Sequence, residues 1–299
     1  MASVYTLAMP DGVVRPDSTP TPATTRKDPA MAETDVRYEL QDGIAWITLD
    51  GPQTLNSLAP STTDKLVEAL DKGDHEARVI VVTGTGRLFS SGADLSGPSS
   101  AASEGKPAGP PLPPKHNSME VHYNRVLLRI RDLVTPLITA VNGGAAGGGM
   151  SLALAGDLIV ATEEAYFLSP FQRIGLGPDL GTSFTITRAV GRVRAMEFFL
   201  LSEKLPAAKA LEWGLINRVV PAADFESTVR ELATRVADGP ARALGYSRHA
   251  VWRGWEGTLE EALQRELYYL AQLGGAPESK EGMASFAEKR QPDFRSIGY

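Results

Sequence analysis

The sequence predicts an α/β protein built of repeated strand–strand–helix units and finished by a helical tail. Three observations carry that expectation. Short β-branched runs, such as Arg78 to Thr83 (RVIVVT) and Leu137 to Val141 (LITAV), alternate with segments whose apolar residues recur at helical spacing. Glycine-bearing bends follow both runs, in FSSGADL at Phe89 to Leu95 and in NGGAAGGGMSLALA at Asn142 to Ala155. After Arg194 helical periodicity dominates and strands become rare, which fits layered helices around short, spiralling sheets.

Residues 1–34 are rich in Pro, Ser and Thr and lack a continuous apolar stretch, so they read as a disordered tail and not as a signal peptide. Met31 stands just before the first strand and is an alternative start. A core is expected over 35–238. It opens with two strands, VRYEL and IAWITLD, around the Asp42-Gly43 hairpin signal. Ser61 to Lys72 carries an S-x-x-D helix start and apolar Leu66, Val67 and Leu70. The low-complexity stretch Gly97 to Pro114 reads as a flexible inserted loop. Met119 to Leu133 returns to helical spacing, and Pro136 ends it. LITAV then leads through the glycines directly into a helix. Further strands are expected at Leu158 to Ala161, Ala165 to Leu168 and Leu215 to Val219, with helices near Thr182 to Val190, Arg194 to Leu201, Ala207 to Trp213 and Phe225 to Ala237. Residues 239–299 form two or three amphipathic helices, including Leu259 to Leu273 with leucines 263, 267, 270 and 273 along one side.

Composition narrows the function classes. The 299 residues are 42% hydrophobic, enough for a substantial core. A net charge of −6 without a Lys/Arg run argues against nucleic acid or an anionic membrane as partner. There is no cysteine, which removes disulfides and thiolate chemistry and fits a cytoplasmic protein. The four histidines lack metal-ligand spacing, so no metal is expected. No apolar run approaches 18 residues, and the terminal SIGY is not an SKL-type address.

The triple glycine Gly147 to Gly149 permits close backbone approach, and the first N–H groups of a helix beginning there have no intrahelical partner. A carbonyl oxygen placed against them would be polarised. The stretch lacks the lysine and spacing of phosphate-binding loops. It is equally compatible with simple helix–strand packing. Likewise Ala93 fits a tight turn capped by Asp94, and Asp179, in RIGLGPDLG, fits a turn residue or an N-cap.

FSSGADL, AVNGGAAGGGMSLALAGDL at Ala140 to Leu158, GL-G-PDLGT at Gly175 to Thr182 and KALEWGLINRVVP at Lys209 to Pro221, in that order, resemble the enoyl-CoA hydratase/isomerase (crotonase) family over about Val36 to Phe294. The resemblance implies a spiral of ββα units, a C-terminal helical trimerisation region giving a homotrimer or hexamer, an acyl-CoA thioester substrate and no separate cofactor. It places the oxyanion-hole donors at the Ala93 and Gly148 amides. The family's hydratases carry glutamates where this chain has Ser151 and Phe171, so ordinary hydration is not expected. Asp179 resembles the lone acid of Δ3,Δ2-enoyl-CoA isomerases and of epoxyphenylacetyl-CoA isomerases, which implies a proton-shuttling base. Ser91, Asp94, Ser151 and Phe171 fall at substrate-proximal positions, and Phe286 with Lys289 at positions that contact CoA. An i, i+3 pair on one helix face would present both to the same ligand. Two rivals stay open: Asp179 as the nucleophile of a CoA-thioester hydrolase or dehalogenase, and a non-catalytic acyl-CoA-binding protein.

Overall fold

The computed structural model describes residues 33–93 and 119–298. The inserted loop, Asp94 and nearly all of the N-terminal tail lie outside the described residues. The chain opens with the hairpin β1 (Asp35–Gln41) and β2 (Ile44–Asp50), paired antiparallel from Asp35↔Asp50 to Gln41↔Ile44. Asp42 and Gly43 both take left-handed backbone, with φ 52 and 73, as a two-residue turn matching the strand twist requires. Helix α1 (Pro60–Glu76) follows. The expected S-x-x-D cap is corrected here: Pro60 occupies the first helical turn, and the Ser61 hydroxyl donates to Glu33 Oε2 at 2.8 Å. Proline needs no N–H partner at that position, so the cap is dispensable.

Two sheets then grow in alternation. Strands β3 (Val79–Gly84), β5 (Leu137–Val141), β7 (Leu158–Thr162) and β10 (Arg218–Val220) extend the first sheet in parallel, in the order β1-β2-β3-β5-β7-β10. Each of β3, β5 and β7 is followed by a short strand of a second sheet: β4 (Leu88–Ser90), β6 (Gly144–Ala146) and β8 (Tyr166–Leu168), with β9 (Leu205–Pro206) at the edge. β5 is buried at all five positions, as expected of a parallel strand covered on both faces. One face packs into the main core with Leu66, Leu70, Ile130 and Met150. The other packs on α6 (Phe225–Ala237) through Val229, Leu232 and Ala233.

Three local expectations are revised, and a fourth, the pair of helices over 182–201, is met as two halves of one element joined at a kink. β6 intervenes between LITAV and the helix, so the glycines end a second-sheet strand and not β5 itself. Met119–Asn124 winds as a π-helix, where the Tyr123 hydroxyl donates to the Leu58 carbonyl at 2.8 Å, before α2 (Arg125–Asp132) begins. The two helices expected over 182–201 run on as α4 (Thr182–Leu201), broken only at Gly191, where φ 78 and ψ 163 interrupt the helix. The strand expected at Leu215 to Val219 forms at Arg218–Val220 instead.

After α5 (Ala207–Glu212) and α6, the chain ends in α7 (Ala241–Glu256), α8 (Leu259–Leu273) and α9 (Pro277–Glu288). No helix of the described residues is long and apolar enough to cross a membrane. A buried cation ties this region to the core. Arg248 donates to Asp157 Oδ2 at 2.6 Å and to the carbonyls of Ile130, Arg131 and Leu133, the orphan acceptors at the end of α2. Asp157 in turn accepts from the Leu137 amide and the Trp252 indole at 2.7 and 3.0 Å. The C-terminal segment returns to the first hairpin: Arg78 donates to the carbonyls of Ala237, Gly239 and Phe294, and Arg295 to that of Asp42. Because the Arg248 side chain is only 3% exposed, Arg248→Ala leaves Asp157 short of its charge partner and takes a donor away from three carbonyls at the end of α2, of which only that of Ile130 keeps a backbone partner among the described residues, the Leu133 amide. Urea titration should show a loss of about 3–5 kcal/mol of stability. A change inside 1 kcal/mol would mean the tie is ornamental.

Candidate active site

The site is assembled by strand pairing. β4 lies parallel to β6 (Leu88↔Gly144, Ser90↔Ala145) and β6 parallel to β8 (Ala145↔Phe167, Ala146↔Leu168), so three C-terminal strand ends emerge side by side. The first end is the bend Ser91-Gly92-Ala93. Its shape comes from Ser90, whose buried hydroxyl donates to the Asn56 carbonyl at 2.7 Å and accepts from the Gly92 amide at 3.2 Å. The second end runs through Gly147, with φ 52 and ψ −127, into α3 (Gly148–Ala153). Gly92 has φ 91, and a β-carbon there would lie 2.6 Å from the Ala146 carbonyl oxygen and 2.9 Å from the Gly148 nitrogen. The two bends therefore touch, backbone on backbone.

The Ala93 and Gly148 amides find no hydrogen-bond acceptor among the described residues. Ala93 N lies 3.7 Å from the position a Gly148 β-carbon would take, so the two donors are near neighbours. α3 is only six residues long, so the polarising field is that of individual N–H groups more than of an extended helix dipole.

The third strand end leads into a loop that carries Asp179 just before α4. Asp179 does not cap α4: the N-cap is Gly181, and no side chain caps that helix. The backbone carbonyl of Asp179 is what accepts from the Thr182 amide and hydroxyl, at 3.0 and 2.8 Å. Its carboxyl Oδ1 is buried without a hydrogen-bond partner among the described residues. Burial pushes the carboxyl up to about 6, against a smaller lowering by its own backbone amide. A carboxylate of that kind is a competent proton acceptor near neutrality.

Other expected residues separate on inspection. Phe171 is buried, with its Cζ 4.0 Å from the position of a Gly147 β-carbon, so an aromatic wall backs the triple glycine. Ser151 is buried and its hydroxyl turns back to the Gly147 carbonyl at 3.4 Å, which directs it into its own helix. Ser91 is half-buried, and its amide is bound by the Leu55 carbonyl at 2.9 Å. Asp94 lies outside the described residues. The helix-face argument for Phe286 and Lys289 is corrected. Phe286 projects from α9 with 88% exposure, but Lys289 has left the helix as its C-cap in the left-handed region, φ 55, which turns it off the i, i+3 face.

Sequence reading missed Asn56, Ser90 and Leu180. Asn56 is fully buried, with φ 53; its Oδ1 accepts from the Gly51 amide and its Nδ2 donates to the Thr85 and Leu88 carbonyls. It is the polar staple beneath the first bend. The one available signal was an asparagine between two leucines in a loop, a side chain suited to left-handed backbone. A cavity of about 510 Å³ between α4 and α7, lined by Ile186, Leu215, Val251, Trp252 and Trp255, contains none of Ala93, Gly148 or Asp179. Its charged groups, Asp157 and Arg248, already satisfy each other, so chemistry favours the strand ends.

A sequence model of the family described as enoyl-CoA hydratase/isomerase matches residues 39–297. A Rhodobacter capsulatus protein named "Probable enoyl-CoA hydratase" is 38% identical over 88% of this chain and 99% of its own. The 1,2-epoxyphenylacetyl-CoA isomerase of Escherichia coli is 36% identical, over 85% and 96%. An Arthrobacter 4-chlorobenzoyl coenzyme A dehalogenase is 34% identical, over 85% and 91%. Among solved structures, a Polaromonas enoyl-CoA hydratase superposes with a TM-score of 0.76 at 28% identity, covering 86% of this chain and 98% of that one. Paired strand ends, two unspent amides and a family match spanning nearly all of the described residues lead to one conclusion: the chain belongs to the enoyl-CoA hydratase/isomerase family, with the crotonase fold.

Proposed function

We propose that this family member is an acyl-CoA isomerase that moves a double bond by proton transfer, with Asp179 as its single base. The observation that carries the reading is a desolvated carboxylate oxygen without a partner among the described residues, on a residue whose neighbour Leu180 rests against Gly148, one of two amides that are likewise without one. Asp179 removes a proton from C2 of a 3-enoyl thioester. The Ala93 and Gly148 N–H groups stabilise the dienolate oxygen as charge builds on it, each worth about 2.7–4 kcal/mol of barrier. Asp179 then returns the proton to C4. The bond order shifts, nothing is lost, and no cofactor is needed beyond the CoA of the substrate. Ser151 and Phe171, at the positions where hydratases of the family carry glutamates, put no carboxylate at either position to direct a water. The isomerase relative at 36% identity supports the same choice.

The unpartnered Oδ1 also favours a second reading, in which Asp179 attacks an acyl or aryl carbon as the nucleophile, in line with the dehalogenase relative. Trapping a covalent adduct on Asp179 would establish that alternative. For assembly the proposal is a homotrimer or a hexamer of two trimers. Val193 and Leu200 on α4 and Leu263, Leu267 and Leu270 on α8 are more than half exposed in a single chain, and packing between copies would cover such faces. Phe286 and Lys289 are proposed to meet the CoA moiety.

Asp179→Asn keeps the shape and removes the base, so turnover of a 3-enoyl-CoA should fall at least about 10²-fold while thioester binding persists. The ionised carboxylate is disfavoured by burial in the fold, so the neutral amide should leave the melting temperature at pH 8 unchanged or higher. Unchanged turnover would end the isomerase reading. In wild type, kcat/KM should drop with a slope of one proton as pH falls below about 6, where Asp179 becomes protonated; a flat profile down to pH 4.5 would mean another group is the base. Mass spectrometry of products from 3-enoyl, 2-enoyl and arylacetyl thioesters should show isomerisation well ahead of hydration. Light scattering should return three or six chains, and a stable monomer at micromolar concentration would contradict the assembly.

A further inference from the structure

The loop that delivers Asp179 is tied at its start by the Arg173 guanidinium, which donates to the Ser202 carbonyl, and near its end by one buried apolar side chain. Residues 172–178 and Gly181 are exposed and Asp179 is half-buried, whereas Leu180 is buried, at 6% exposure. That side chain does not join the core at random. Its Cδ1 lies 2.8 Å from the position a Gly148 β-carbon would take, so the anchor of the loop rests on the residue that supplies one of the two unspent amides.

The backbone at this point is unfavourable for leucine. Leu180 has φ 48 and Gly181 φ 70, and the Thr182 amide donates to the Asp179 carbonyl at 3.0 Å. Asp179 to Thr182 is thus a tight turn whose two central residues are both left-handed, a conformation that selects Asn-Gly or Gly-Gly. Leucine at the first central position strains the turn and offers it nothing. What leucine supplies there, and asparagine would not, is an apolar contact with Gly148. The same turn spends the Asp179 carbonyl on Thr182 and leaves α4 with Gly181 as its N-cap, so the carboxylate is not drawn into capping the helix.

We infer that Leu180 is a positioning residue: seated on Gly148, it fixes the Asp179 carboxylate relative to the Ala93 and Gly148 amides and keeps water from its buried oxygen. The inference rests on Asp179 being the base of the proposed isomerisation. Gly148 is the receptor for this contact, because a side chain there would push the end of Leu180 off its seat. Base and oxyanion donors are thereby held through one van der Waals contact and not through a hydrogen bond that would compete for either of them.

The test compares Leu180→Asn, Leu180→Met and Asp179→Asn with the wild type on a 3-enoyl-CoA, measuring kcat and KM against pH, with thermal melting of each variant. Asparagine suits the left-handed turn and loses the apolar seat, so kcat should fall by about 10- to 100-fold with KM changed by less than about threefold. The acid limb of the pH profile should move from about 6 toward the ordinary carboxylate range as water reaches Asp179. Leu180→Met keeps an apolar contact of similar volume and should stay within about threefold of wild type. If Leu180→Asn lowers the melting temperature but keeps kcat and the acid limb, Leu180 is only a packing residue and the inference is overturned. Should that variant fail to fold, Leu180→Ala carries the same two expected outcomes. Asp179→Asn separates the layers of the argument: turnover retained there defeats the base assignment itself, while turnover lost there and retained in Leu180→Asn defeats the positioning role alone.

Discussion

The structure depends on a backbone-to-backbone contact between two bends that no side chain may enter. Gly92 presses on the Ala146 carbonyl and the Gly148 nitrogen, and a β-carbon on Gly149 would lie 2.5 Å from the Ser90 carbonyl. Parallel pairing of β4 with β6 forces this proximity, since both strands end at the same level and their chains turn out of the sheet together. Where the bends touch, the Ala93 and Gly148 amides enter no ladder among the described residues. They are left pointing at whatever occupies the space beyond. The placement of the Ala93 and Gly148 amides is thus a by-product of sheet register, and it is rigid because its parts are main chain.

Such a site carries a stability cost, with unspent donors on one side and a desolvated carboxylate on the other, and the fold offsets it elsewhere. Asn56 satisfies three backbone groups beneath the first bend, and Arg248 satisfies three carbonyls and an acid where α7 meets the core. Neither network touches the proposed chemistry. Both fix the strands and helices from which the reacting groups project. Unpartnered buried atoms also occur among the described residues at Trp46, Thr162 and Glu278, so what distinguishes the strand ends is that a carboxylate oxygen and two neighbouring amides are left unpaired together.

Much of this was legible in the chain. Hairpin, helix spacing, glycine bends and the acid at position 179 are all local signals, and the order of four motifs marked the family. What could not be read depended on distance along the sequence. β6 is three residues long and pairs with strands more than 20 residues away in either direction, so its existence is a tertiary fact. Asn56 acts on carbonyls about 30 residues later, and no local pattern announces it. Lys289 shows the converse error: helical spacing was extended one residue beyond the helix, where the backbone had already turned left-handed. Leu180 was overlooked because turn chemistry predicts asparagine or glycine there, and a residue kept against its backbone preference becomes visible only when its contact is seen.

The bonds made by Arg78 have a consequence in time. Its guanidinium is shared among three carbonyls, and the last, that of Phe294, is 216 residues downstream. At synthesis rates of roughly 5–20 residues per second, Arg78 leaves the ribosome on the order of 10–40 seconds before that acceptor exists. The hairpin turn waits as long, because the Asp42 carbonyl is claimed by Arg295. The first strands of the sheet are thus held provisionally through nearly the whole of translation. Phe294 and Arg295 act as a late latch on the first strands, so a chain cut short in α9 lacks the bonds that tie Arg78 and the hairpin turn to them.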